Sequence, residues 1–193
     1  MSKLPVGILL AAGQSARFGS NKLLHPVNND TPMLLVTAEK LASVLPDSIA
    51  VIHHDLLPHT RSLVQLGLKV VVNEQAQQGM GSSIACGVRT TQDATGWLIT
   101  LADMPYIKIE TIKKIANRLK DGADLVAPFF EQQRGHPVGF SQRYKTELLA
   151  LNDDVGARNI LEKHRHQLEL IQTHDTGIVK DIDYTRDIDL ADL

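Results

Sequence analysis

Short apolar runs recur along the chain at VGILLA (6–11), SIAVIH (48–53), LKVVV (68–72), WLITLA (97–102) and ADLVAP (123–128), each bounded by polar or turn-forming residues. Near-continuous hydrophobicity over five or six residues predicts strands buried on both faces. The intervals between them follow helical spacing. Thr31 can cap a helix begun by Pro32, in which Leu34, Ala38, Leu41 and Leu45 lie on one side until Pro46 stops it. Gly81, Ser82 or Ser83 starts a second helix through Arg89, and further helices are expected at 109–120, 143–151 and 157–166. Strands alternating with helices predict an α/β domain with a mostly parallel, doubly wound sheet. Two shorter strand candidates, HPVGF (136–140) and LELIQ (168–172), interrupt that alternation in the second half. No repeat or linker divides the chain, so residues 1–193 are expected to form one domain.

Composition narrows the classes. The 193 residues are 43% hydrophobic and 22% charged, the profile of an ordinary globular chain. A chain of this size buries roughly 70% of its unfolded surface without needing disulfides, in keeping with a single cysteine, Cys86. A formal net charge of −2 gives no global attraction for nucleic acid or anionic membrane, so neither is expected as a partner. No run approaches the roughly 18 apolar residues of a membrane span, and the N-terminus shows no leader pattern. A cytoplasmic location is the expectation.

Ligands of open α/β sheets sit beyond the carboxyl ends of the strands, and there the chain carries its chemistry. The first run leads into LAAGQSARFGSNKLL (10–24). Small residues at Ala11, Ala12 and Gly13 let backbone approach a ligand closely, exposed N–H groups in such a turn can cradle phosphate oxygens, and Arg17 and Lys22 add positive charge. The segment lacks the Gly-Lys-Ser/Thr ending of a P-loop and the GxGxxG of dinucleotide folds; the plain alternative is a strand-to-helix turn with two solvated cations. At the end of the 97–102 run, Pro105 fixes a turn that presents Asp103 as a magnesium ligand or, more plainly, as a helix cap. Near the C-terminus, alternation in Asp181-Ile182-Asp183 places both carboxylates on one side of an extended segment. One of them joins Asp103 on a metal if the chain returns to the site; otherwise the pair is a solvated acidic edge.

Together these segments resemble the MobA-like nucleotidyltransferase family, and within it the molybdenum cofactor cytidylyltransferase branch. The similarity spans nearly the whole chain. It is carried by LAAGQSARFGSNKLL, NEQAQQGMGSSIACGV (73–88), ADMP (102–105), RGHPVGF (134–140), DVGAR (154–158) and DID (181–183). The resemblance implies a three-layer, Rossmann-like nucleotidyltransferase fold with a nucleotide-binding half at 1–105 and an acceptor-binding half at 106–193. Leu10, Ala11, Ala12 and Gly13 would hold a nucleoside triphosphate, with Arg17 and Lys22 on its phosphates. Gly79, Gly81, Ser82 and Ser83 would lie near base and sugar. Asp103 with Asp183 would hold Mg2+, with Asp181 as the alternative to Asp183. LAAG and GMGSS imply CTP as the donor, CMP as the group transferred, pyrophosphate as the product and molybdopterin as the phosphorylated acceptor. The product implies transient contact with a molybdoenzyme or its chaperone.

On the acceptor side, Arg134 and His136 of RGHP and Arg158 of GAR form a candidate anion site, since each set joins glycine to a cation. Rival readings are a GTP-dependent enzyme, a transferase acting on another acceptor such as a sugar phosphate, and a nucleotide-binding accessory protein without turnover. The histidine pairs 53–54 and 164/166 match no zinc-ligand pattern. Cys86, among small residues at helical spacing, is expected to be packed rather than nucleophilic.

Overall fold

The structure is a computed structural model that describes residues 4–13, 21–28, 30–184 and 187. Its elements in chain order are β1 (Val6–Ala11), β2 (Pro26–Asn28), β3 (Thr31–Pro32), α1 (Met33–Val44), β4 (Ile49–Ile52), α2 (Thr60–Gln65), β5 (Lys69–Val72), α3 (Met80–Thr90), β6 (Gly96–Leu101) and α4 (Ile109–Lys120). There follow β7 (Leu125–Phe130), β8 (Gln133–Arg134), β9 (Val138–Ser141), α5 (Lys145–Leu149), α6 (Arg158–Lys163) and β10 (Leu168–Gln172).

The strands form one sheet in the order β10-β7-β9-β6-β1-β4-β5, with β8 appended to β7. Strands β1, β4, β5 and β6 run parallel, as do β7 and β10, whereas β9 runs antiparallel between β6 and β7. The fold is therefore the expected α/β Rossmann-like nucleotidyltransferase fold with a mixed, mostly parallel sheet.

Every residue of β1 is buried, and its alternation feeds two cores. Leu9 and Ala11 face one layer with α1 and α4, while Ile8 and Leu10 face the other with α3 and α5. Burial on both sides is what demands a continuous apolar run rather than a period of two. Among the described residues no helix is long and apolar enough to cross a membrane.

The departures from the sequence pattern are local. Thr31 and Pro32 do not open a helix: they pair with Pro26–Asn28 as a small antiparallel ribbon, and α1 begins at Met33, whose N–H donates to the His25 carbonyl (3.0 Å). The interval after the second run folds into the short α2, which amphipathic spacing alone does not reveal. The intervals 143–151 and 157–166 contract to α5 and α6 flanked by 3-10 turns.

Candidate active site

The carboxyl ends of β1 and β6 open into a cavity of about 420 Å³. Leu10, Ala11, Ala12 and Gly13 line it as the chain leaves β1. Arg17 lies outside the described residues. Beyond it Asn21 caps a 3-10 turn, Lys22–Leu24, by accepting from the Leu23 N–H (3.2 Å). Leu23 is buried in the core and anchors the turn, so that Lys22 points back into the cavity.

Asp103 sits on a turn fixed from three directions. The Ala102 N–H donates to the Leu10 carbonyl of β1 (3.0 Å). From α1, the Thr37 hydroxyl donates to the Ala102 carbonyl (3.1 Å) and the Lys40 ammonium to the Pro105 carbonyl (2.5 Å). From the C-terminal segment, the Ile182 N–H donates to the Asp103 carbonyl (2.9 Å), while the Ile182 side chain is fully buried.

That last contact shows the chain returning to the site, which sequence alone left open. The buried Asp175 carboxylate accepts from the Lys108 N–H (2.9 Å), the Thr111 hydroxyl (2.6 Å) and the Gly177 N–H (3.0 Å), pinning the returning strand to the start of α4. Gly135 packs so closely on this strand that a Cβ there would lie 2.3 Å from the Ile178 carbonyl oxygen. The glycine of RGHP thus serves chain packing, not the approach of a ligand.

The return brings together carboxylates that lie about 80 residues apart in sequence. Asp103, Asp181 and Asp183 each offer an oxygen within 4.8 Å of the others. Lys22 donates to Asp103 Oδ2 and to Asp183 Oδ1, both at 2.8 Å, with side-chain exposures of 15% for Lys22, 22% for Asp103 and 45% for Asp183. Burial alone pushes the Lys22 ammonium down, but the two carboxylates outweigh it and hold the group above its ordinary value. Asp181 is pushed up by partial burial and by the Asp103 and Asp183 charges. The carboxyl group of Asp187 accepts from the Asp183 and Tyr184 N–H groups (3.1 and 2.7 Å), which orders the backbone at Asp183. Three crowded carboxylates, two of which already hold an ammonium between them, are a donor set for a hard divalent cation, which takes oxygen ligands of this kind. Both aspartates of the DID segment belong to the group.

The opposite wall comes from the middle motif. Gly79 and Ser83 line the cavity, as do Ala76, Gln77 and Met80. Gly81 and Ser82 do not line it. The Ser82 hydroxyl is committed behind the wall: it accepts from the Asn73 amide (2.9 Å) and lies 2.8 Å from the Gly79 carbonyl, which it can reach as donor. Asn73, the first residue of the 73–88 motif, also donates to the Ser83 hydroxyl (3.0 Å) and is buried, a scaffold residue to which the sequence reading assigns no role. Gly79 has φ +101°, and a Cβ there would lie 2.1 Å from Asp154 Oδ1; one on Gly81 would lie 2.8 Å from the Asp153 carbonyl oxygen. The Gly81 N–H donates to that same carbonyl at 2.7 Å, satisfying a donor at the start of α3. The glycines of GMG therefore seat a loop from the second half of the chain.

The three acceptor-side candidates fall in one neighbourhood. Partial enclosure and the adjacent Arg158 lower the Arg134 guanidinium below its usual value, with Glu162 opposing. Arg158 donates to Glu162 (2.8 Å) across one turn of α6. Burial, then the charge of Arg134, push His136 down to about 4, while Asp103 and a hydrogen bond with the Ile99 backbone pull the other way. The imidazole is consequently neutral near pH 7, and its buried Nδ1 has no hydrogen-bond partner among the described residues. Cys86 is half-buried and its thiol is pushed up by burial, the reverse of an activated nucleophile.

Residues 7–168 match the model of the MobA-like NTP transferase domain. The chain is 28% identical to the purine catabolism protein PucB of Bacillus subtilis (strain 168), over 96% of this chain and 95% of that protein. It is 32% identical to a "Probable molybdenum cofactor guanylyltransferase" of Thermococcus gammatolerans, over 69% of this chain and 66% of that one. Among solved structures, Rv0371c from Mycobacterium tuberculosis H37Rv superposes with a TM-score of 0.83 at 24% identity, covering 96% of both chains, a likeness of fold.

Proposed function

Since this chain belongs to the MobA-like NTP transferase domain family and is a nucleotidyltransferase, we propose that its donor is GTP and its acceptor the terminal phosphate of a molybdopterin-type molecule. The observation that carries the transferase site is the meeting of Lys22, Asp103, Asp181 and Asp183 at the mouth of one cavity that also takes in the 10–13 turn. The sequence motifs imply CTP. The relative from Thermococcus gammatolerans, 32% identical, is described as a probable molybdenum cofactor guanylyltransferase, and this favours GTP. CTP is the second reading, favoured by the Ala11-Ala12 pair at the cavity wall, where added side-chain bulk narrows the slot for a base.

In the reaction an oxygen of the acceptor phosphate forms a bond to the α-phosphorus, the bond from that phosphorus to the bridging oxygen breaks, and pyrophosphate leaves with its electrons. A phosphate acceptor is already ionised near neutral pH, so no side chain need act as general base. The protein's part is positioning and charge compensation. Asp103, with Asp183 and Asp181 beside it, would hold Mg2+, which when bound supplies positive charge against the phosphates. Lys22 would exchange its carboxylate partners for phosphate oxygens, joined by Arg17. The 10–13 turn with Gly79 and Ser83 would hold base and ribose. Arg134 and Arg158 would receive the anionic acceptor, and neutral His136 would offer an uncharged hydrogen-bonding edge between that site and Asp103. Product hand-over to a molybdoenzyme or its chaperone, within a cytoplasmic setting, completes the reading.

The test is pyrophosphate release and dinucleotide formation with GTP, CTP, ATP and UTP, with and without purified molybdenum cofactor. GTP-dependent formation of a guanine dinucleotide is expected. Turnover with CTP alone moves the assignment to the second reading, and turnover only with a sugar phosphate discards the molybdopterin acceptor.

A further inference from the structure

The cavity that takes in the 10–13 turn is lined by three charged side chains among the described residues: Lys22, Asp103 and Asp154. Lys22 and Asp103 are bound to each other. Asp154 stands apart. It is not a member of the acidic group formed by Asp103, Asp181 and Asp183, and its Oδ1 is pressed against Gly79, where a Cβ would come within 2.1 Å. Its backbone neighbour Asp153 accepts from the Gly81 N–H at 2.7 Å. A loop from the second half of the chain thus carries a carboxylate to the wall made by the middle motif.

An exposed carboxylate there, outside the acidic group that would hold a cation, is not placed to serve the phosphates, because like charges repel. It accepts hydrogen bonds only, up to two N–H groups side by side. Around it the cavity presents apolar Leu10, Ala12, Ala76, Leu101 and Met80 together with polar Gln77 and Ser83, a lining that suits the faces of a flat ring with a few polar groups at its edge. Guanine presents two adjacent N–H donors on its Watson–Crick edge, and cytosine presents one amino group. Xanthine and uracil carry a carbonyl oxygen in place of those amino groups.

We propose that Asp154 is a specificity-determining residue of the nucleotide site, its carboxylate reading the amino-bearing edge of the base, guanine in the first place. This rests on the nucleotidyltransferase reading of the cavity and adds to it the group that selects the base. The selection operates against oxo-bearing bases, whose oxygen would face the carboxylate oxygens without a proton between them.

The isosteric change Asp154→Asn keeps the contact with Gly79 and exchanges one acceptor for an N–H donor. Dissociation constants for GTP, xanthosine triphosphate, CTP and UTP, measured without acceptor, and kcat/KM for each with acceptor, read the outcome. Asp154→Asn is expected to weaken GTP by about 10- to 100-fold and to strengthen xanthosine triphosphate, with the same direction of change from CTP to UTP. Asp154→Ala is expected to flatten the discrimination without strengthening either oxo base. Equal losses for all four nucleotides in Asp154→Asn would assign the carboxylate to ribose hydroxyls and overturn the inference, as would unchanged ratios. Thermal unfolding of both variants separates these results from misfolding. The GTP reading is judged separately, on the unaltered protein: a preference for CTP there removes GTP as donor, and the shift from CTP to UTP in Asp154→Asn still decides the role of Asp154.

Discussion

At the scale of single residues, the site sets Lys22 against three carboxylates among the described residues, so deleting either sign has different consequences. Asp103→Ala and Asp183→Ala are expected to reduce turnover to near background while leaving metal-free nucleotide binding intact, because the loss falls on transition-state charge compensation. A fully active Asp183→Ala would place the role on Asp181. Lys22→Ala is expected to lower kcat/KM by roughly 2 to 4 kcal/mol of transition-state stabilisation, read by steady-state kinetics on a protein whose circular dichroism is unchanged. His136 supplies a pH signature. Its folded value near 4 lies below the unfolded value near 6.5, so between these the unfolded chain binds the extra proton and stability falls as the pH drops. Urea midpoints should therefore decline from pH 6.5 to 5, a range in which ordinary carboxylates stay ionised, by up to about 2 kcal/mol, and His136→Asn should remove that slope. Asp103 is legible in the sequence because it follows directly on a buried strand, and Lys22 because it belongs to the small and basic segment that follows β1. Asp154 opens the DVGAR segment, yet nothing local ties it to the cavity wall at Gly79.

At the scale of elements, strands were easier to read than helices, because a strand buried on both faces has no option but a continuous apolar run. Strands β1, β4, β5 and β6 fall within a residue of their predicted spans. The helix starts follow tertiary partners instead. Pro32 is drawn into the ribbon with Pro26, and α3 opens at Met80 because Gly79 turns at φ +101° beneath the loop at Asp153 and Asp154. Gly79→Ala tests that docking. A side chain at this φ, colliding with Asp154, should cost about 1 to 3 kcal/mol of stability and weaken triphosphate binding, both read from thermal melts with and without nucleotide. A variant as stable as the original, with unchanged binding, would show the loop to be dispensable to the cavity wall.

At the scale of the whole molecule, the cavity is assembled from β1, the Lys22 turn, the Asp103 turn after β6, the middle motif and a return of the second half at Asp154, while a further return sets Asp181 and Asp183 beside Asp103. Ligand occupancy should therefore stabilise the domain as a unit. With Mg2+ and the preferred triphosphate at about 100 times its dissociation constant, linkage adds roughly 2.7 kcal/mol, or about 5 to 10 °C in Tm for a chain of this size. A chelator should cancel much of that shift and abolish turnover. Asp103→Ala should show no metal-dependent part of it. A shift of the same size with chelator present would remove the divalent cation from the site.

What the sequence by itself determined is the layered α/β sheet, the family, the strand end at which Asp103 appears and the small and basic segment that carries Lys22. These are properties of runs and short motifs, set by burial on both faces of a strand and by the close backbone approach that a turn of small residues permits. Only the tertiary structure decided that Asp181 and Asp183 reach Asp103, that Gly79, Gly81 and Gly135 are glycines for the sake of other segments of the chain and that Asp154 lines the cavity beside Gly79. Each of those is a contact between segments tens of residues apart. Such contacts depend on sheet order and on the path of the returning chain, which no local period encodes.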